Sequence, residues 1–341
     1  MQWQDYWYVV ALSEQLSDRT VLSRQLLGER LAIFRDTYGQ PVALQDRCRH
    51  RHHPLSSGTV HQGEVQCPYH GWRYNRIGQV CAIASEGDTF GFNSSRRIPY
   101  YTALEQDGYI YVHLSAATET KPFIMPHYGD RNWASVRLIN RFQNTVTNCA
   151  ENFIDILHTA FVHPGIFRNP ERRQLRMRVE RHAGTVTAIY HQETTNLGWF
   201  RWFLNPGGQE IQHCDRFICP NVTCVEYKMG TQRQLFITSQ SIPETANQTL
   251  VYTDVTFNYG RWTHWVKPLV RWTAQRIINQ DLVVLQRQQD TIAYYYQYSQ
   301  PFDYTAADTI HVFVESITRA IDRGEDPNQL SDRTVEVTFW V

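Results

Sequence analysis

The chain has 341 residues, with 33 Lys and Arg balanced by 33 Asp and Glu and 42% hydrophobic residues. That length supports two domains with separate cores, and the zero net charge leaves no electrostatic footprint for nucleic acid as a general partner. No apolar run is long enough to cross a bilayer, and MQWQDYWYVVAL has no basic segment before its short apolar one, so neither a membrane span nor a secretory leader is expected and the expected compartment is the cytoplasm.

Residues 1 to 115 carry short alternating segments such as YWYVVAL, RLAIFRD and GYIYVHL, punctuated by Gly and Pro, which predicts an all-β domain. Small residues, Pro and polar residues cluster in SAATETKPFIMPHYGD, and the boundary is placed there, giving domains 1–118 and 119–341. The second domain reads as α+β. Helical stretches near 147–162 and 266–297 bracket strand-like runs such as TVTAIYHQETT, TCVEYKM, RQLFITSQSI and LVYTDVTFNY.

The first chemistry-bearing stretch is CRHRHHPLSSGTVHQGEVQCPYHGW, residues 48 to 72. Cys48 and His50 form C-x-H, and Cys67 and His70 form C-x-x-H. A C2H2 zinc site is the competing reading, since zinc accepts two sulfurs and two nitrogens. Zinc fingers, however, keep their cysteines in one pair and their histidines in the other. Here each loop is mixed, the pattern of a Rieske [2Fe–2S] centre with two cysteines on one iron and two histidines on the other. His52, His53 and His61 read as loop histidines. Trp72 is expected to pack over the cluster. Seven cysteines with no leader also favour metal ligation over a disulfide framework.

The second stretch is NCAENFIDILHTAFVH, residues 148 to 163. Read as a helix, Glu151, Asn152, Asp155, His158 and Thr159 form one polar stripe. On one continuous helix His158 and His163 would point about 140° apart. Pro164 disfavours helical dihedrals at His163, so a break there could turn the second imidazole back. A two-histidine, one-carboxylate site for non-haem Fe(II) then needs an acid. Asp281, in QRIINQDLVVLQRQQD, is flanked by Ile277, Ile278, Val284 and Leu285, which places a carboxylate in an apolar stripe where it must be neutral, paired or metal-bound. A structural salt bridge is the alternative. Asp290 reads as a surface charge.

With those motifs in place, the chain resembles the oxygenase component of Rieske non-haem iron oxygenases over nearly its full length, on WYVVALSEQL, CRHR and CPYHGWRYNRIGQV, ENFIDILHTAFVH and QDLVVLQRQQ. The resemblance implies a Rieske β-domain followed by a helix-grip catalytic domain of antiparallel sheet and helices, assembled as a homotrimer in which one subunit's cluster feeds its neighbour's iron. It implies that Cys48, His50, Cys67 and His70 hold the cluster and that His158, His163 and Asp281 hold the mononuclear Fe(II). Asp155 matches the acid that links a cluster histidine to an iron histidine across the interface, and Asn152 an asparagine close to the iron.

The N-x-x-D-x-x-H-x4-H spacing is similar to the monooxygenase and O-demethylase branch. It favours hydroxylation or oxidative demethylation of an apolar, cyclic or aromatic small molecule over ring dihydroxylation. The chlorophyll-derivative oxygenases are the minority reading, since their C-x-x-C and C-terminal membrane segment are not found. A Rieske electron carrier fused to a ligand-binding domain is the non-enzyme alternative. Three departures stand out: Arg49 where Pro is usual, and Gln280 and Gln286 in place of acidic neighbours of the third ligand. O2 is the implied co-substrate. No flavin or nicotinamide fingerprint is seen, so NAD(P)H is expected to act through a separate reductase or ferredoxin.

Lesser features are read conservatively. Six arginines between 168 and 181 are a candidate docking surface or an ordinary basic face. Cys214, Cys219 and Cys224 read as half-buried thiols on alternating strand faces, and Cys81 and Cys149 likewise as ordinary thiols. YGRWTHWVKPLVRWTAQRII suggests a membrane-surface helix, but Pro268 is expected to interrupt it. Trp199, Phe200, Trp202 and Phe203 are candidates for an apolar substrate pocket.

Overall fold

The computed structural model describes residues 1–115, 120–166, 174–191, 211–230, 233–295 and 302–340. The chain forms two compact units, Trp3–Ile124 and Met125–Val341 together with Met1–Gln2.

The first unit contains β1 (Trp7–Leu12), β2 (Leu22–Leu26), β3 (Glu29–Arg35), β4 (Pro41–Gln45), β5 (Thr59–His61), β6 (Glu64–Gln66), β7 (Arg73–Tyr74), β8 (Val80–Ala82), β9 (Tyr100–Gln106) and β10 (Tyr109–His113). They form a six-stranded sheet in the order β1-β10-β9-β4-β3-β2 and a small sheet β5-β6-β7-β8. Antiparallel pairing of the consecutive strands β2–β3–β4, β5 through β8 and β9–β10 follows from short connections, which cannot hold a crossover. Asp107 and Gly108, at φ 53° and 75°, join β9 to β10 in a two-residue turn whose positive dihedrals match the strand twist, and Gly supplies one of them without strain. Val65, Tyr74, Leu55 and Phe34 close a core around Cys48 and Cys67.

The second unit is one eight-stranded antiparallel sheet, ordered β11-β17-β16-β15-β14-β13-β12-β18. Its strands are β11 (Ala134–Phe142), β12 (Gln174–His182), β13 (Thr185–His191), β14 (Ile211–Ile218), β15 (Val222–Met229), β16 (Arg233–Thr245), β17 (Gln248–Asn258) and β18 (Arg333–Trp340). Strict alternation of buried and exposed residues along β12 shows one core-facing side. Helices α1 (Val146–Phe153), α2 (Thr159–Val162), α3 (Lys267–Tyr294) and α4 (Thr309–Asp322) accompany the sheet. Ile278 and Leu285 of α3 bury against Val136, Leu138 and Val255 of the sheet. Helix α4, which no sequence signal above singles out, buries Ile310, Phe313, Val314, Ile317 and Ile321 at helical spacing.

Three expectations are corrected. Residues 148 to 163 are not one helix: the chain leaves α1 after Phe153 and restarts at Thr159. The cause is Asp155, whose Oδ1 accepts the Leu157 N–H at 2.7 Å and whose Oδ2 accepts the His158 N–H at 3.2 Å, offering those donors an alternative to helix. Pro268 does not interrupt a helix but sits in the first turn of α3, where its missing N–H costs nothing. Cys214 and Cys224 do not alternate faces, because the turn between β14 and β15 brings Arg216 opposite Cys224 and Cys214 opposite Glu226, on one side of the hairpin.

Candidate functional site

Cys48 and Cys67 sit at equivalent positions in two loops with the same backbone bonding. The Cys48 N–H donates to the His53 carbonyl and the His52 N–H to the Cys48 carbonyl, both at 2.8 Å. The Cys67 N–H donates to the Trp72 carbonyl at 2.8 Å and the Gly71 N–H to the Cys67 carbonyl at 3.0 Å. Each loop closes through one positive φ, His52 at 57° and Gly71 at 70°. A Cβ on Gly71 would meet the Ala84 Cβ at 2.8 Å, so glycine is required there by space as well as by dihedral.

Both cysteines are 1% exposed, whereas His50 and His70 are exposed at the loop tips. The two imidazoles lie together, ring centres 4.5 Å apart, and Trp72 stacks on His50 at 5.0 Å. Sulfurs are thus gathered inside and nitrogens outside. Sulfurs on one side and imidazoles on the other suit a two-iron cluster, in which each iron takes one kind of ligand, better than a single zinc. Burial, followed by the neighbouring Cys48 sulfur, pushes the Cys67 thiol up against the pull of backbone N–H groups, which is the setting of a thiolate that forms when a metal binds.

The Arg49 departure has a structural reason. Its N–H donates to the Tyr74 hydroxyl at 2.9 Å, a bond proline could not make, and that hydroxyl lies 3.2 Å from Cys48 Sγ.

The second cluster is formed by the break before α2 and by α3. Asp281, 5% exposed, points its Oδ1 toward His163 Nε2 at 3.0 Å and His158 Nε2 at 3.6 Å. That oxygen is buried and makes no hydrogen bond of acceptable geometry. Three lone-pair donors converging on a small volume, one of them an unsatisfied carboxylate oxygen, fit a divalent iron better than a salt bridge. Both rings are held by their far nitrogens: His158 Nδ1 lies 3.3 Å from Asp155 Oδ2, and His163 Nδ1 2.9 Å from Gln280 Oε1. An acceptor at Nδ1 fixes the tautomer that leaves Nε2 as a ligand. Gln280, a departure by sequence, therefore does an orienting job as a neutral amide. Burial works against the charged form of His163, but Asp281 and then Gln280 outweigh it and raise its pKa. For Asp155, burial is likewise outweighed, by His158, and its pKa is lowered.

These groups open on a cavity that Asn152, Phe153, Ile156, Ile277 and Ile278 also line. Val284 of the predicted apolar stripe faces solvent instead. Asp290 is exposed and accepts from Gln286 at 2.8 Å. Sequence reasoning missed His213 and Asp215, which line the same cavity from β14. Their H-x-D spacing on a strand was the available signal. Trp199, Phe200, Trp202 and Phe203 lie outside the described residues, as do Arg168, Arg172 and Arg173. Of the remaining arginines, Arg178 pairs with Glu180, and Arg181 is buried and bonded to Ser316, which reduces the basic stretch as a docking surface.

Residues 6–93 match the Rieske [2Fe–2S] domain family, and residues 143–327 the vanillate O-demethylase oxygenase C-terminal domain family. Chlorophyllide a oxygenase of Chlamydomonas reinhardtii is 32% identical over 48% of this chain and 25% of its own length. The oxygenase component of dicamba O-demethylase from Stenotrophomonas maltophilia is 32% identical over 46% of each chain. The matched stretch thus spans less than half of these curated relatives. The solved structure of dicamba monooxygenase bound to dicamba superposes with a TM-score of 0.80, over 96% of this chain and 98% of that one at 22% identity, a likeness of fold. No described helix is long and apolar enough to cross a membrane. With both domain families matched in order along one chain, this protein belongs to the Rieske oxygenase family, as an oxygenase component with a vanillate O-demethylase-type C-terminal domain.

Proposed function

We propose that the chain works in the cytoplasm as the oxygenase component of a multicomponent system that hydroxylates or oxidatively demethylates an apolar, cyclic or aromatic small molecule. The observation that carries this is the convergence of His158, His163 and Asp281 on a cavity that apolar side chains also line. When bound, the [2Fe–2S] group on Cys48, His50, Cys67 and His70 supplies single electrons, and Fe(II) on His158, His163 and Asp281 supplies the place for O2 chemistry. Asp155 holds the His158 ring, and Asn152 faces the cavity beside it.

The electrons originate from NAD(P)H through a separate reductase or ferredoxin. A homotrimer, with cluster-to-iron transfer between subunits, is the assembly the resemblance implies. It is supported by exposed His50 and His70 and by the exposed apolar side chains Phe161, Trp272 and Val283 beside Gln280. Chlorophyll-derivative oxidation is a second reading, favoured by the 32% identity to chlorophyllide a oxygenase.

Anaerobic iron and sulfide analysis with EPR of the reduced protein, before and after nitric oxide, tests the proposal. About three irons and two labile sulfides per chain, a Rieske signal and a separate Fe–NO signal are expected. About two irons with no Fe–NO species after iron reconstitution would leave an electron carrier instead.

A further inference from the structure

The sheet wall of the cavity is not uniformly apolar. On β14, His213 and Asp215 stand two residues apart and so share a face, 3% and 2% exposed, with His213 Nε2 2.8 Å from Asp215 Oδ1. The His213 ring is stacked between its cross-strand neighbours, Tyr190 at 4.5 Å and Tyr227 at 4.2 Å. One strand step away, Thr223, Ser239 and Thr253 form a cross-strand row of hydroxyls on β15, β16 and β17 that also line the cavity. Ser239 Oγ and Thr253 Oγ1 are 3.2 Å apart. Beyond them an apolar lobe opens between Val255, Val270 and Ala274, sharing Ile237 and Ile278 with the cavity.

Burying a carboxylate, an imidazole and three hydroxyls on a substrate-facing wall is costly unless they meet polar atoms. Their chemistry selects what those atoms are. Asp215 spends one oxygen on His213 and, as a carboxylate, has a second acceptor oxygen. The hydroxyls can both donate and accept. No Lys or Arg is among the described residues lining the cavity, so on this described wall an anionic substrate group would meet a carboxylate and no cationic side chain.

On the footing of the oxygenase reading, we infer that His213 and Asp215, with the Thr223–Ser239–Thr253 row, form a specificity wall for an uncharged substrate hydroxyl, donating to Asp215 and accepting from the row, while the apolar body fills the adjoining lobe. His213 acts as a positioning residue that holds Asp215 through Nε2. The alternative is a pair that merely pins β14 in register.

Calorimetry on the holoenzyme, without O2 or reductant, separates the two, using 2-naphthol, 2-naphthoate, 2-naphthylmethylammonium and naphthalene as probes. The expected result is 2-naphthol binding about 10-fold or more tighter than 2-naphthoate, the scale of a hydrogen bond to a charged group. Asp215→Asn should weaken 2-naphthol by about 10- to 100-fold and leave naphthalene unchanged, at unaltered cluster absorbance. Ser239→Ala, a milder change, should weaken 2-naphthol by about 2- to 10-fold and decides the matter if Asp215→Asn fails to fold. Equal or tighter binding of the carboxylate or the ammonium, or no measurable 2-naphthol binding, overturns the inference. So does a 2-naphthol preference that survives the substitutions in folded protein. Binding with this preference in a chain lacking the Fe–NO signal would sink the oxygenase reading alone; turnover without the preference would sink only the wall.

Discussion

Cys48, His50, Cys67 and His70 come from two neighbouring loops with one pattern of backbone bonds, whereas His158 and His163 meet Asp281 only after strands β12 to β17 have intervened. The first site is nearly complete in local geometry, with its sulfurs inside and its imidazoles exposed at the tips. The second exists only once α3 has packed on the sheet, and its donor side chains line an interior cavity. A site that gives electrons away has reason to present its ligands at the surface. A site that must keep water from a reactive centre has reason to bury them.

The sharpest break between the two sites is to remove one proposed ligand from each. Cys67→Ser should take labile sulfide to background while the Fe–NO signal remains. Asp281→Ala should lower iron by about one per chain and leave about two sulfides and the Rieske signal in place. Turnover should fall to background in both. If Asp281→Ala kept full turnover, the assignment of that carboxylate would be wrong.

Asp155→Asn probes the connection rather than either site. Asp155 Oδ2 faces His158 Nδ1 at 3.3 Å, and an amide NH2 placed there would oppose the tautomer that leaves Nε2 toward Asp281. Cluster absorbance should be intact and turnover about 10- to 100-fold lower, with slower single-turnover electron transfer. Unchanged transfer would remove Asp155 from the electron route.

How much of this could be read in the sequence follows the same division. The mixed C-x-H and C-x-x-H pairs point to the first proposed site because its geometry is local. Tyr74, which links the Arg49 N–H to the Cys48 sulfur, carried no such signal. For the second site, the donor types and the Pro164 break were legible, but the deciding bend lies earlier. It is made by Asp155 capping Leu157 and His158, and periodicity reads straight through it because the apolar spacing is unbroken. Gln280 looked like a departure only because its partner, the His163 ring, is far away in sequence. His213 and Asp215 were invisible for the same reason: a lone H-x-D on a strand gains meaning from the cavity it faces.

The smallest expected effect on turnover, and a further contrast between the units, lies at Glu151 in α1. Its Oε1 is buried without a hydrogen bond, and burial first, then Glu315 of α4, pushes the carboxyl up to about 8 from its ordinary 4.5, against the opposing pull of Arg319. The folded unit therefore keeps a proton that the unfolded chain releases near 4.5. Stability from this group is full below about pH 4.5 and is lost as pH rises toward 8, by at most about 1.4 kcal/mol per pH unit. Glu151→Gln cannot release the proton, so the variant should gain on the wild type steadily between pH 5 and 8 in thermal unfolding followed by circular dichroism. Loss of cluster absorbance, which reports the first unit, should keep its own pH dependence in both proteins. Parallel wild-type and variant curves across that range would show that Glu151 is ionised in the fold, with Arg319 dominating its surroundings rather than burial.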